Sequence, residues 1–324
     1  MYNQDALKKI VEKAILSLSY DTGSERLADP VKYILSMGGK RLRPVLALMA
    51  CNLFSDKIDD AVIPAAGLEV FHNFTLVHDD IMDQAHLRRN LPTVHSKWNV
   101  NQAILSGDVM AFIAIECFLQ SPSGILQKVL RIFNKAAIDV CAGQQLDMDF
   151  EKSHVVNHDE YILMIGLKTA ALTAASAKIG ACFGGANDKN CSHAEEFGKN
   201  LGIAFQIQDD LLDLYGETHV FGKTTGGDIT ANKKTFLFVK AMELAGNAQK
   251  KMLQELYTAG ETDTSLKIKA VKSIYDELGI KTITENIAGE YVRSALSFLD
   301  LIEVARERKA GMAEMVNALL GRDH

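Results

Sequence analysis

The sequence predicts an all-α protein, and the positions of its prolines are the first reason. All five prolines, at positions 30, 44, 64, 92 and 122, precede residue 123, so the remaining 202 residues contain none. Because proline removes a backbone donor and clashes with the preceding turn, its absence allows long helices. The same region is rich in Ala, Leu, Lys and Glu, which favour the helical state.

The spacing of apolar residues is the second reason. Apolar residues recur every three or four positions within residues 125–137, 161–179 and 244–256, as on the buried face of a helix. No stretch shows the sustained alternation of a half-buried strand. We therefore predict about ten to twelve helices in one domain, residues 1–324, without linkers or repeats. The predicted loops lie near residues 21–24, 55–59, 84–94, 120–124, 152–158, 184–192, 215–230 and 258–264.

Composition and termini limit the possible environments. Residues 1–20 are predicted to form an amphipathic helix without a signal-peptide core. The longest apolar run, residues 109–119, contains Glu116 and is shorter than the roughly 20 residues that cross a bilayer, so no transmembrane segment is expected. The net charge of −6 gives no reason to expect a nucleic-acid partner. Five cysteines without a C-x-x-C pair favour reduced thiols and a cytoplasmic location.

A basic segment with two glycines precedes the third predicted helix. Residues 38–44 read GGKRLRP and lead into the apolar run 45–54. Pro44 suits a first helical turn, so backbone N–H groups and the positive end of the helix dipole would join Lys40, Arg41 and Arg43. The segment therefore predicts an anion site.

Two copies of one acidic pattern are the strongest functional signal. Residues 79–83 read DDIMD and residues 209–213 read DDLLD, about 130 positions apart. On a helix, each copy presents three carboxylates over little more than one turn, where like charges repel. A bound cation would relieve this repulsion, and hard oxygen ligands suit Mg²⁺ that bridges to phosphate. The predicted metal ligands are Asp79, Asp80, Asp83, Asp209, Asp210 and Asp213.

Basic residues follow each acidic segment. Arg88 and Arg89 come shortly after the first copy, and Lys223 and residues 232–234 (NKK) follow the second. Carboxylates alone would repel a diphosphate, whereas carboxylate, Mg²⁺ and phosphate can bridge when Arg and Lys neutralise the remaining charge. The order of acidic and basic segments therefore indicates a metal–diphosphate site. Lys234 is interpreted as an ordinary surface lysine.

Together these segments resemble the trans-isoprenyl diphosphate synthases, the polyprenyl synthetase family. The similarity runs in order from about residue 30 to residue 240. It comprises GGKRLRP at 38–44, DDIMD at 79–83, LRR at 87–89, PTVH at 92–95, GD at 107–108, GQ at 143–144 with Asp147, KT at 168–169, AFQIQDDLLD at 204–213 and GKTTGGD at 222–228. Asn90 stands where such sequences usually have Gly, and residues 84–86 (QAH) belong to a variable stretch. Neither departure removes a phosphate or metal group.

The resemblance implies a fold and a reaction. The fold would be a single large helical bundle of the isoprenoid synthase type around a central cavity, usually as a homodimer. Three Mg²⁺ ions per active site would hold an allylic diphosphate of five, ten or fifteen carbons. Loss of diphosphate would leave an allylic cation, which the double bond of isopentenyl diphosphate attacks, and proton loss would restore a trans alkene.

The resemblance also implies roles for individual residues. Arg88, Lys168, Lys223 and Lys233 would contact the allylic diphosphate, and Thr169 and Gln206 would line its reacting end. Isopentenyl diphosphate would bind Lys40, Arg43, Arg89 and His72. His72 precedes Asp79 by seven residues, which places the two on nearly the same side of a helix. The groups most directly tied to catalysis would be Asp79, Asp80, Asp83, Lys168, Asp209 and Lys223. His78 and His95 are interpreted as ordinary structural histidines.

Phe74 and Phe71 bear on the length of the product. Phe74 precedes Asp79 by five residues, about 7.5 Å along a helix, and Phe71 lies one turn further away. In the family a growing prenyl chain runs along this helix and bulky residues stop it. The resemblance therefore implies a twenty-carbon product, geranylgeranyl diphosphate, with fifteen-carbon farnesyl diphosphate as the next choice.

Two alternatives remain at this point. A terpene cyclase also uses DDxxD with Mg²⁺, but it usually has a different second metal motif and needs no second substrate pocket. A non-catalytic subunit of a heteromeric synthase would share the fold, although damaged acidic segments would be expected there.

Overall fold

The computed structural model describes residues 2–19, 22–153, 155–216, 225–258 and 263–320. Most of these residues are helical, which confirms the all-α prediction. The first helices are α1 (Gln4–Ser17), α2 (Glu25–Ser36), α3 (Leu42–Phe54), α4 (Asp59–Met82), α5 (Val94–Lys97), α6 (Val100–Leu119) and α7 (Ser123–Lys152). They are followed by α8 (His158–Ile165), a π-helical turn (Gly166–Ala170), α9 (Ala171–Phe183), α10 (Asp188–Tyr215), α11 (Gly227–Thr230), α12 (Phe236–Leu244), α13 (Asn247–Thr258), α14 (Thr264–Glu277), α15 (Ile280–Leu301) and α16 (Arg306–Leu320).

Two short strands form a hairpin inside the predicted loop 84–94. Strand β1 (Leu87–Arg88) pairs with β2 (Leu91–Pro92) in antiparallel register. Arg89 and Asn90 between them have φ of 52° and 62°. Two successive positive φ angles define the turn type that suits a two-residue hairpin loop, and Asn tolerates them better than most residues. The departure from Gly at position 90 is therefore compatible with the local backbone.

Contacts divide the chain into two compact units. Unit 1 comprises Met1–Lys135, Ala175–Glu195 and Leu301–Met312, and unit 2 comprises Ala136–Ala174, Glu196–Asp300 and Ala313–His324. The prediction of a single domain stays a prediction.

Helix α4 is the central element of unit 1. It packs against α1, α3 and α6. A Cβ atom placed on Gly67 of α4 would lie 2.7 Å from Cβ of Cys117 on α6, so this glycine permits the close approach of the two helices. Helix α3 is buried along its length from Pro44 to Leu53, as expected for a helix that is apolar on all sides. The predicted start of this helix near Pro44 is confirmed.

Unit 2 contains two apolar clusters that share helix α12. In one cluster, Phe236 and Val239 of α12 lie with Tyr161 of α8 and with Ile203 and Ile207 of α10. In the other, the neighbouring residues of α12 lie with α13 and α14, and this cluster includes Leu237, Phe238, Leu253, Tyr257, Val271 and Tyr275. Because both sides of α12 are buried, the residues that precede it are held close to the core.

Two helical segments have the length and composition that could cross a membrane. They are Val100–Leu119 and His158–Phe183. The second is 61% buried within the protein, as expected of a core helix, whereas the first is 39% buried. Helix α6 therefore presents an apolar face to its surroundings.

Candidate active site

The middle aspartate of the second acidic segment is buried in a network of donors. Asp210 lies on α10 and is 5% exposed. Its carboxylate accepts hydrogen bonds from the Tyr161 hydroxyl, from Gln206 Nε2 at 2.9 Å and from the backbone N–H of Phe236 at 2.9 Å. Burial raises the pKa of Asp210 to about 6, although these donors favour the charged form. Asp210 therefore joins three elements of unit 2: α8, α10 and the start of α12.

The flanking aspartates of this segment have different surroundings. Asp209 is exposed, whereas Asp213 is half-buried. Asp213 Oδ2 accepts the backbone N–H of Asp228 at 3.0 Å, at the start of the short helix α11. This contact fixes the segment that follows residues 217–224. Lys223 lies outside the described residues, so its predicted role stays a prediction.

The first acidic segment repeats this arrangement in unit 1. Asp80 is 1% exposed. Its carboxylate accepts hydrogen bonds from Arg88 Nε at 2.9 Å and from an Arg88 Nη at 2.7 Å. Burial raises the pKa of Asp80, and the charge of Arg88 opposes this effect. Asp79 is half-buried and Asp83 is exposed, one turn further along the chain. In each acidic segment the middle carboxylate is thus held by protein donors.

Basic groups surround His72 in unit 1. The Arg89 guanidinium packs over Gly39, where a Cβ atom would lie 2.9 Å from an Nη, and it donates to the Gly38 carbonyl. Burial together with the charges of Arg43 and Arg89 lowers the pKa of His72 well below its usual value, so this imidazole is neutral at neutral pH. The structure therefore brings His72, Arg43 and Arg89 together, and their role in binding isopentenyl diphosphate stays a prediction.

Arg41 differs from the other cations of the GGKRLRP segment. Its backbone is left-handed, with φ of 52°. Its guanidinium is buried, donates to Glu69 at 2.7 Å and also donates to the Leu35 carbonyl at 2.7 Å. Arg41 is therefore committed to the core. The expectation that all three cations of this segment serve a bound anion is not met at Arg41, because its guanidinium is paired with the buried Glu69 carboxylate on α4.

A π-helical turn carries Lys168 and Thr169 in unit 2. A Cβ atom on Gly143 of α7 would lie 2.2 Å from the backbone nitrogen of Lys168. One on Gly202 of α10 would lie 2.6 Å from Cα of Ala170. Two glycines therefore allow neighbouring helices to approach the turn, and π-helical turns are frequent at functional sites.

The side chains of this turn are held by specific partners. Lys168 Nζ lies 2.5 Å from Asp147 Oδ2, and the Thr169 hydroxyl donates to Gln206 Oε1 at 2.9 Å. Since Gln206 also donates to Asp210, the turn and the second acidic segment belong to one hydrogen-bond network. These groups line a cavity of about 110 Å³ whose polar lining includes Asp147, Tyr161, Lys168, Thr169, Gln206, Asp210, Asp228 and Lys233.

Lys233 and Lys234 have separate environments. Lys233 lines the cavity, and its contact with an allylic diphosphate stays a prediction. Lys234 Nζ donates to the carbonyls of Phe150 and Glu151 at 2.7 and 2.9 Å, at the negative end of α7. Lys234 therefore has a structural role. Buried Lys267 donates to Asn232, which has φ of 57°, and so helps to fix this segment.

Phe71 and Phe74 lie in different environments on α4. Phe71 is 4% exposed and packs edge-on against Phe133, with ring centroids 5.1 Å apart. Phe74 is half-buried and contacts Phe71 and His78, with ring centroids 5.2 and 4.8 Å away. Phe74 therefore presents part of its ring outside the core, whereas Phe71 belongs to the core.

The oxygen donors of the two acidic segments suit Mg²⁺. Within the described residues, no three His, Cys, Asp or Glu side chains converge as they would in a preformed metal cage. Mg²⁺ usually keeps several waters and binds one or two carboxylates plus substrate phosphates, so it needs no such cage. Oxygen ligands at the edge of each acidic segment, with no sulfur ligand, fit this mode of binding.

Sequence reasoning missed several residues that shape the site. Tyr161 and Glu69 were not singled out, and Asp147 was noted without a role. Tyr161 is 49 residues from its partner Asp210, and Glu69 is 28 residues from Arg41. The sequence contained a signal for Glu69, because this acidic residue lies in an otherwise apolar stretch of α4 and a buried charge needs a partner. Tyr161 gave no such signal.

The chain is similar to several known proteins. The polyprenyl synthetase family model matches residues 24–277. A short chain isoprenyl diphosphate synthase of Methanothermobacter thermautotrophicus is 35% identical over 324 residues, covering 99% of this chain and 98% of that protein. A geranylgeranyl diphosphate synthase of Methanosarcina mazei is 34% identical and covers 97% of this chain and 95% of that protein. The crystal structure of a geranylgeranyl pyrophosphate synthase has a TM-score of 0.95 and 38% identity, with complete coverage of both chains.

Proposed function

Because the chain belongs to the polyprenyl synthetase family, we propose that it is a Mg²⁺-dependent trans-prenyltransferase that joins isopentenyl diphosphate to an allylic diphosphate. The observation that carries this proposal is the cavity of unit 2, where Lys168, Lys233 and the Gln206–Asp210 pair line one space. Cations beside carboxylates suit a metal-bound diphosphate. The family relationship supplies the identity of the substrates.

All six aspartates of the two acidic segments would hold Mg²⁺, three ions per active site: Asp79, Asp80, Asp83, Asp209, Asp210 and Asp213. Asp80 and Asp210 would also position their segments. Support comes from the donors that already occupy the carboxylates of Asp80 and Asp210. When bound, Mg²⁺ supplies Lewis-acid stabilisation of the charge on the leaving diphosphate.

The protein side chains would orient the allylic substrate. Lys168 is held by Asp147 and would present its ammonium to a diphosphate oxygen, with Lys233 as a second cation. Arg88 would direct its remaining N–H groups to an oxygen of the allylic diphosphate while Asp80 fixes its guanidinium. The Thr169–Gln206 pair would line the reacting carbon, since each side chain is fixed by the other.

Isopentenyl diphosphate would bind among the basic groups of unit 1. The proposed ligands are Lys40, Arg43, Arg89 and His72. Two arginines can neutralise a diphosphate through charge-assisted hydrogen bonds. A neutral His72 would add a hydrogen bond without another charge, which is consistent with its lowered pKa.

The proposed product has twenty carbons, and fifteen carbons is the next choice. The half-buried ring of Phe74 on α4 would stop the growing chain, with Phe71 behind it. The name of the relative in Methanosarcina mazei, a geranylgeranyl diphosphate synthase, agrees with this length.

We also propose that the protein is a homodimer and that it is located in the cytoplasm. Helix α6 exposes Ile104, Leu105 and Phe112, with Phe112 at 68% exposure, and such an apolar face suits a subunit interface. In the part of the chain that the structure describes, the five cysteines form no disulfide, which supports a reducing compartment.

An incorporation assay on the purified chain tests the function. Labelled isopentenyl diphosphate is incubated with five-, ten- or fifteen-carbon allylic diphosphates, with Mg²⁺ or with excess chelator. The proposal predicts Mg²⁺-dependent transfer of label into a longer diphosphate. Allylic substrate consumed without isopentenyl diphosphate would indicate a terpene cyclase, and absence of turnover in the folded chain would indicate a non-catalytic subunit.

A further inference from the structure

A pair of cysteines in unit 1 is separate from every residue assigned above to substrate or metal. Cys182 lies in the last turn of α9, and Cys191 lies in the first turn of α10. Their sulfur atoms are 3.4 Å apart. Disulfide formation requires two sulfurs to approach to about 2.05 Å, so a shift of little more than 1 Å would join them.

The surroundings make the two sulfurs chemically unequal. Cys191 Sγ can donate to the Ala186 carbonyl at 3.6 Å while it accepts a hydrogen bond from the Cys182 thiol. That hydrogen bond, with the nearby charges of Lys128 and Lys178, lowers the pKa of Cys191 to about 7. Hydrogen bonding and burial raise the pKa of Cys182. Cys191 is thus the more acidic thiol of the pair.

The pair lies directly beneath an exposed turn. Cys182 and Cys191 are 6% and 1% exposed, whereas Gly185 and Asn187 between them are exposed. Both cysteines lie at helix ends, which open more readily than helix centres. A small oxidant can therefore reach them more easily than a bulky one.

We propose that Cys182 and Cys191 form a peroxide-reactive dithiol site that closes to an intramolecular disulfide. The Cys191 thiolate attacks one peroxide oxygen, which breaks the O–O bond, gives a sulfenic acid at Cys191 and releases hydroxide. The Cys182 thiol then attacks the Cys191 sulfur, and water leaves as the S–S bond forms. In balance, two thiols and one hydrogen peroxide give one disulfide and two waters.

The other cysteines provide internal references. Burial raises the pKa of Cys51 and of Cys117 to about 12, so both remain thiols at neutral pH. Cys141 is exposed and reports whether peroxide has acted. The lowered pKa of Cys191 and the short distance between the two sulfur atoms, rather than exposure alone, distinguish Cys182 and Cys191 from the other cysteines.

The test uses the full chain and mass spectrometry. The protein is treated with hydrogen peroxide, the remaining thiols are alkylated in denaturant at acidic to neutral pH, and the chain is cut with trypsin. Cleavage after Lys178, Lys189 and Lys199 separates residues 179–189 from residues 190–199, so a disulfide links two peptides. We expect this linked species, its loss on reduction with dithiothreitol, and oxidation at least about tenfold faster than at Cys51 or Cys117.

Single variants separate the two roles. In Cys182→Ser, Cys191 should trap dimedone as a sulfenic acid without any linked peptide. In Cys191→Ser, Cys182 should remain available to alkylation. The Cys141→Ser variant should behave as the parent. The proposal is overturned if peroxide oxidises Cys141 while Cys182 and Cys191 stay fully alkylated, or if the linked peptides include Cys141.

Discussion

Asp79 and Asp80 are neighbours in the sequence, but their carboxylates meet different surroundings. Asp80 is buried against Arg88, whereas Asp79 is half-buried in the last turn of α4. A carboxylate at the negative end of a helix dipole does not stabilise the helix. Asp79 carries a charge at a position where that charge does not stabilise the helix, and this combination suits a functional residue. At Asp80 the charge serves the fold.

Exchange of each aspartate for alanine should separate these roles. Asp79→Ala should lower the Mg²⁺-dependent rate by about 100-fold or more, because one metal ligand is lost, while the free energy of unfolding is retained. Asp80→Ala should lower the free energy of unfolding by about 1–3 kcal/mol, because Arg88 loses its partner. Chemical denaturation and initial rates measure both. Near-normal turnover in a folded Asp79→Ala protein would contradict the proposed role of Asp79 as a metal ligand.

The two substrate pockets should respond differently to the loss of Arg43. Arg43→Ala removes one charge-assisted hydrogen bond worth about 1.5–3 kcal/mol. The Michaelis constant for isopentenyl diphosphate should rise about 10- to 100-fold, and that for the allylic diphosphate should change less. Exposed Lys57→Ala serves as the control for a lost cation. A larger effect on the allylic side would show that the pockets are reversed.

Phe74 and Phe71 form a matched pair for chain length. Phe74→Ala removes a half-buried ring, so another apolar isoprene unit can pack there, and the product should lengthen by at least one five-carbon unit. Phe71→Ala opens a core cavity beside Phe133 and should cost about 3–5 kcal/mol of stability. Chromatography of the products and thermal unfolding distinguish the two effects. An unchanged product from folded, active Phe74→Ala would place the limit elsewhere.

At the scale of single residues, the sequence could predict which side chains are candidates for function better than it could predict the contacts of each side chain. The acidic segments and the basic residues near His72 were predictable from local spacing and from family resemblance. The partners of Asp80 and Asp210 were not, because Tyr161 and the Phe236 backbone reach Asp210 from 49 and 26 residues away. Spacing along one helix contains no information about such contacts.

At the scale of elements, the π-helical turn at Gly166–Ala170 shows how helix packing positions a site. Gly143→Ala would place a methyl group 2.2 Å from the Lys168 backbone nitrogen, so the turn must shift. We expect loss of activity and of stability, although Ala normally favours a helix interior by about 1 kcal/mol over Gly.

Gly124→Ala is the matched control for this change. Gly124 lies at the start of the same helix, α7, and has no atom within 4 Å of an added Cβ. It should be neutral or stabilising, with full activity. Equal behaviour of the two variants in rate assays and thermal unfolding would mean that Gly143 does not position the turn.

Element prediction from sequence succeeded where proline position and periodicity set the outcome, as for the helix near residues 1–20. It failed for the β1–β2 hairpin and for α11, which lie in predicted loops. Strands of two residues and a helix of four are too short for a periodic signal. Their formation depends on contacts such as Asp213 with the Asp228 backbone.

At the scale of the whole molecule, the exposed face of α6 should determine the oligomeric state. Phe112→Glu places a charge in the proposed interface and should shift the protein from dimer to monomer, because a buried unpaired charge is costly. Leu244→Glu, at a 52% exposed position on α12, is the control and should remain dimeric. Sedimentation velocity measures the oligomeric state of each variant. A Phe112→Glu protein that remains dimeric would exclude this face of α6 as the subunit interface.

The most direct measurement of the central claim is chromatography of the products made by the purified chain from isopentenyl diphosphate and a five-carbon allylic starter with Mg²⁺. We expect all-trans prenyl diphosphates that end at twenty carbons, and no product when Mg²⁺ is chelated. Cyclised hydrocarbons, or label that never enters a longer diphosphate although the protein is folded, would contradict it.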